Sequence, residues 1–76
     1  MRKDKVTKWV AVNRPYGDYE IEGVFDTKRD ALNHARLGWT GGSQRSEKVE
    51  AGKYEHGRYL IIRSDLFAES FPGETI

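Results

Sequence analysis

The chain has 76 residues, 37% hydrophobic and 33% charged, with thirteen Lys and Arg set against twelve Asp and Glu and no cysteine. A chain this short buries only about 60% of its unfolded surface, enough for one core, and its composition is too apolar for a solvating tail and too polar for a membrane span. Disulfides and thiolate metal sites are excluded, a reducing compartment fits, and a net charge of +1 gives no global pull toward phosphate. Met1-Arg2-Lys3-Asp4-Lys5 leads into a strand-like segment rather than a signal-peptide core, so a cytoplasmic location is expected.

Val6 to Asn13 is rich in β-branched and aromatic residues and stops at Arg14-Pro15-Tyr16-Gly17-Asp18, which reads as a strand and a turn. A second strand follows. Tyr19, Ile21 and Phe25 share one parity with Gly23 between them, and Glu20, Glu22 and Val24 take the other, so the two strands form a hairpin with one apolar face.

Asp26 and Thr27 are both N-cap residues, and Thr27-Lys28-Arg29-Asp30 approximates a capping box, so a helix is predicted from there. Spacing at 100° puts Ala31, Leu32 and Ala35 on a core stripe and turns Arg29, Asn33 and Arg36 away from it. Gly38 is the expected end, with Trp39 folding back over the stripe. Thr40 to Lys48 reads as a loop around Gly41-Gly42-Ser43. A third strand over Val49 to Glu55, weakened by Gly52, precedes a stronger one, Arg58 to Arg63, which is apolar on both faces and expected to be central. The first 64 residues then form a single domain, and 65–76 is a C-terminal tail, either partly disordered or docking. The fold class is α+β, a β-β-α-β-β domain with one sheet packed by a single helix and its other face available for contacts.

Chemistry-bearing residues are sparse. A nucleophile–base pair needs a Ser, Thr or Cys beside a His, and the two histidines, His34 on the helix and His56 before a turn glycine, stand in no catalytic motif. They lack zinc-site spacing, no Asp-rich loop suits calcium, and Glu20 with Glu22 read as a solvated face. Trp39-Thr40-Gly41-Gly42-Ser43 follows a helix rather than preceding one, so it is no phosphate loop. No enzyme activity, cofactor or metal is expected.

Binding residues are easier to find. Lys28, Arg29 and Arg36 give the helix a basic edge opposed only by Asp30, and Arg14 with Tyr16, Lys53 with Tyr54 and Arg58 with Tyr59 interleave cations with aromatics. Acidic residues interrupt most of these clusters, which favours a mixed solvated surface. Trp9, Phe25 and Trp39 are assigned to the core, and Arg14, Tyr16, Lys28, Arg29, Arg36, Tyr54, Arg58 and Tyr59 are the candidate partner-binding residues.

Lys8 and Trp9, Val12, Tyr19-Glu20-Ile21, Phe25, Thr27, Ala31-Leu32 and Ala35, within Thr7 to Trp39, resemble the small phage-encoded inhibitor of bacterial RNA polymerase, a strand-strand-helix-strand protein that binds the enzyme's jaw and blocks promoter opening. The same hairpin-and-helix pattern is similar to HicB-type antitoxins and to several small anti-CRISPR proteins. The chain lacks the Pro-Asp-Leu-x-Gly signature of the antitoxins, and its helix is basic where the polymerase inhibitor is acidic. The resemblance implies a phage or mobile-element protein that binds and inhibits a host macromolecular machine, RNA polymerase first or a defence complex. The alternative is a nucleic-acid-binding module using the basic helix edge or the Tyr-bearing sheet face. An edge strand over Val49 to Glu55 could pair across a dimer.

Overall fold

The computed structural model describes residues 7–14, 17–41 and 45–74. Five strands, β1 (Trp9–Asn13), β2 (Glu20–Phe25), β3 (Ser46–Glu50), β4 (Lys53–His56) and β5 (Tyr59–Arg63), form one antiparallel sheet, with helices α1 (Lys28–Gly38) and α2 (Ser64–Ser70). The sheet order is β2-β1-β5-β4-β3, which puts β5 at the centre as its apolar composition predicts. The α+β class and the helix after the first hairpin stand as expected.

Alternation along β1 and β5 builds two half-cores. Ala11, Tyr59 and Ile61 face α1 and pack on Ala31 and Ala35. Val10, Val12, Leu60 and Ile62 face the opposite side and pack on Phe67 of α2. Each fully buried Val or Ile contributes roughly 1.5–3 kcal/mol by leaving water. The face expected to stay available is therefore covered over β1 and β5. Residues 65–74 pack back onto the sheet: Phe67 is fully buried, Phe71 stacks on it at 4.7 Å, and Tyr19 meets Phe71 edge-on at 5.0 Å while donating to Glu74 at 2.6 Å.

The single strand expected over Val49 to Glu55 is two. Gly52 adopts φ +82, a left-handed conformation that costs other residues, and reverses the chain between β3 and β4. Lys48 pairs with Tyr54 and Ser46 with His56, so the predicted loop up to Lys48 already contains strand. Its Gly42-Ser43 portion lies outside the described residues.

Helix α1 starts as its sequence says: the Thr27 hydroxyl accepts from the Asp30 backbone amide at 3.1 Å. Its end differs. Gly38 remains helical and Trp39 is the C-cap, its amide donating to the Ala35 carbonyl at 2.9 Å. Glycine is required at 38 for space rather than for a left-handed cap, because a Cβ there would collide with the Tyr59 hydroxyl. Trp39 folds back as expected, packing against the α1 half-core. It lies where a Cβ on Gly57, itself at φ +61, would meet its ring.

The second strand departs from simple alternation. Ala11 pairs with Gly23 and Val12 with Ile21, leaving Glu22 as the extra residue of a β-bulge. Ile21 and Phe25, expected on one face, consequently point to opposite faces: Ile21 joins the α2 half-core and Phe25 the α1 half-core.

Because α2 is a seven-residue helix attached through Phe67, removing that ring should destabilise the whole domain. Phe67→Ala is expected to cost about 3–5 kcal/mol, read from urea unfolding by tryptophan fluorescence. A cost under about 1 kcal/mol would show that α2 is not integral to the core.

Candidate functional site

The bulge turns the Glu22 carboxylate toward α1. There Oε1 meets His34 Nε2 at 2.8 Å and accepts from the Tyr59 hydroxyl at 3.1 Å, while Oε2 accepts from Asn13 Nδ2 at 3.1 Å. These hydrogen bonds, His34's first, hold the Glu22 carboxyl below the usual carboxylate range against the opposing effect of burial. The solvated strand face read from the sequence holds in that Glu20 and Glu22 are both exposed, but the Glu22 carboxylate also ties β1, β5 and α1 together. Tyr59 is only 6% exposed, and its phenol is pushed up first by burial and then by the bond to Glu22. It is a core residue, not the surface contact its position beside Arg58 suggested.

The second polar pair joins Ser46 Oγ and His56 Nδ1 at 2.7 Å across the β3–β4 ladder. His56 is fully buried, and burial, with the nearby Arg36 charge, depresses its pKa. A hydroxyl beside a neutral imidazole has the spacing of a nucleophile and base, but this ring sits wholly inside the fold as a cross-strand partner. Among the described residues no group of His, Cys, Asp and Glu could hold a metal ion.

The remaining candidates fall into distinct places. Arg14 pairs with Glu55 at 3.2 Å and donates to the Arg58 carbonyl, on the α2 side of the sheet. Arg58 lies over the Trp39 ring at 5.6 Å. Tyr16 lies outside the described residues. Lys28 sits 4.5 Å above the Tyr54 ring and donates to its hydroxyl at 3.2 Å, and Tyr54 in turn lies 6.2 Å from Trp9. Arg29 and Arg36 are exposed on α1, with Arg36 donating to Asn33 at 3.4 Å.

Two residues that the sequence reading passed over belong beside them. Leu37 is 82% exposed on the outer side of α1, on the row of Asn33 and Asp30. At 100° per residue it lies roughly opposite the Ala31–Ala35 stripe, a signal the wheel already contained. Lys48, the cross-strand partner of Tyr54, shares its side of the sheet. Finding it from sequence requires recognising the turn at Gly52.

These features define a small α+β domain with a five-stranded antiparallel sheet between two helices. Comparison with protein-family models, curated proteins and solved structures gives no match. No helix among the described residues is long and apolar enough to cross a membrane.

Three groups with depressed pKa bear on the acid sensitivity of the fold: Asp65, whose exposed carboxyl the Arg63 guanidinium holds low, and, inside the domain, His56 and Glu22. The unfolded chain binds a proton at His56 before the native one does, so stability should begin to fall as pH drops below about 6.5. Glu22, whose native pKa is depressed, stabilises fully above its ordinary value and loses that contribution as pH falls through the native one. In urea melts from pH 8 to 3, Glu22→Gln should flatten the slope below about pH 4.5 and leave the His56 limb in place. An unchanged acid limb would remove Glu22 from this role.

Proposed function

We propose that this chain is a small non-enzymatic binding protein, of the kind encoded by phages and mobile elements, that docks on a macromolecular machine in the host cytoplasm and inhibits it. The observation carrying this reading is the outer side of α1. Asp30, Asn33 and Leu37 are all exposed there, and an apolar side chain 82% exposed gains nothing for the fold. Leu37 beside Asn33 and Asp30 suits a protein surface with an apolar pocket and a polar rim, because such a pocket buries the leucine while the rim meets the amide and the carboxylate. The resemblance of Thr7 to Trp39 to the phage inhibitor of RNA polymerase makes that enzyme the leading partner. A defence complex is the next.

The direct test is nuclease-treated capture of purified bacterial RNA polymerase on the tagged protein, together with transcription in its presence. The expected result is stoichiometric capture, inhibited promoter opening, and loss of about 30-fold or more in affinity on Leu37→Glu, the scale of an interface hot spot. Equal capture by wild type and Leu37→Glu would eliminate this face, and no capture would eliminate the polymerase.

A further inference from the structure

The sequence mixes acids and bases along the third and fourth strands, and the fold separates them. Glu55 pairs with Leu60, Glu47 with Glu55, and Glu50 with Lys53, which in turn pairs with Ile62. Leu60 and Ile62 belong to the α2 half-core, so all three carboxylates lie on the α2 side of the sheet. Lys48 and Tyr54 occupy the α1 side, where Tyr54 packs against the Ile61 half-core. Helix α1 packs chiefly on β1, β5 and β2 and touches β4, where Tyr54 is half-buried, while every residue of β3 is exposed, so the β3 side of this ribbon is left open beside the helix.

The adjacent edge of α1 is basic. Lys28 covers the Tyr54 ring, and Arg36 lies close enough for its charge to act on His56 of β4. Arg29 lies two turns before Arg36, on the same row of the helix. Asp30 stands 100° further round from Arg29, on the other side of that row. The outcome is a trough two strands wide, about 10 Å. Its floor is Tyr54 with Trp9 behind it, and cations line both walls, Lys48 from β3 and Lys28, Arg29 and Arg36 from α1.

We infer that this trough between α1 and the β3–β4 ribbon binds single-stranded nucleic acid, with the phosphates on Lys28, Arg36 and Lys48 and a base stacked on Tyr54. Aromatic floors between lysines and arginines are how single strands are held without sequence readout, since every base has a π face and every nucleotide a phosphate. A duplex presents no free base to Tyr54, and a chain of acidic side chains has no aromatic ring to stack on it. Lys28 occupies the ring in the free protein and moves to a phosphate when a base takes its place. The site is separate from Leu37, which projects from the outer side of α1.

The test is fluorescence polarisation with fluorescein-labelled dT12 and rU12 over a range of KCl concentrations, with a twelve-base-pair duplex and poly-glutamate as competitors. Expected are binding of a single strand with a log–log salt slope of about −2 to −3, from three or four neutralised phosphates, and weak competition by duplex and polypeptide. Tyr54→Ala should lose about 5- to 100-fold in affinity. Lys48→Glu, at an exposed edge position that leaves the core untouched, should lose at least tenfold. Glu47→Lys, one residue away but on the other side, should stay within about threefold of wild type. No binding at low salt, a loss for Glu47→Lys equal to that for Lys48→Glu, wild-type affinity in Tyr54→Ala, or full competition by poly-glutamate would each overturn the site. Leu37→Glu should leave dT12 binding intact, so a failed polymerase capture and a failed trough give different results.

Discussion

β5 carries Tyr59 and Ile61 toward one side of the sheet and Leu60 and Ile62 toward the other, and all four are buried. A strand apolar on both sides needs a cover on each, and a chain of 76 residues has little with which to make them. Helix α1 provides one, close-set because Ala31 and Ala35 are small and Gly38 leaves room for the Tyr59 hydroxyl. The other comes from α2, whose seven residues bury a single large side chain, Phe67. The order of the sheet follows: β5 takes the middle, and the charged strands β2 and β3 take the edges.

The bulge at Glu22 is the second device on which the arrangement depends. An extra residue opposite Ala11 and Val12 lets one short strand supply Ile21 to the α2 side and Phe25 to the α1 side, so a single edge contributes to both half-cores. It also turns the Glu22 carboxylate toward α1, where His34 and Tyr59 converge on one of its oxygens. Bulges and charged side chains at sheet edges discourage pairing with other chains. β3 shows the same features, with Glu47, Lys48 and Glu50 and a register shift between Lys48 and Glu50.

Much of the fold is legible in the residues themselves. The Thr27 cap, the Ala31–Ala35 stripe, the return of Trp39 and the central place of β5 each express a local rule that tertiary packing has no reason to override. The candidate site is legible only in part. Lys28, Arg29, Arg36 and Tyr54 were visible as cations and an aromatic, whereas Tyr59 looked the same in sequence and lies in the core. A tyrosine's hydroxyl lets it serve either place, and what decided here was the carboxylate that the bulge brought to it.

Composition, helix periodicity and turn residues by themselves determined a single α+β domain, its first hairpin, its capped helix and its doubly apolar strand. Those signals act over a few residues, within the reach of a hydrogen bond or a helical turn. Only the tertiary structure decided which side each charge occupies, that α2 and Phe71 form a second cover, and that the Glu22 carboxylate meets α1. A one-residue change of register reverses every side chain after it. The left-handed turn at Gly52 and the bulge at Glu22 fix that register within their own hairpins, and the distant pairing of β1 with β5 joins those hairpins, so the charge pattern becomes a surface only once the sheet is assembled.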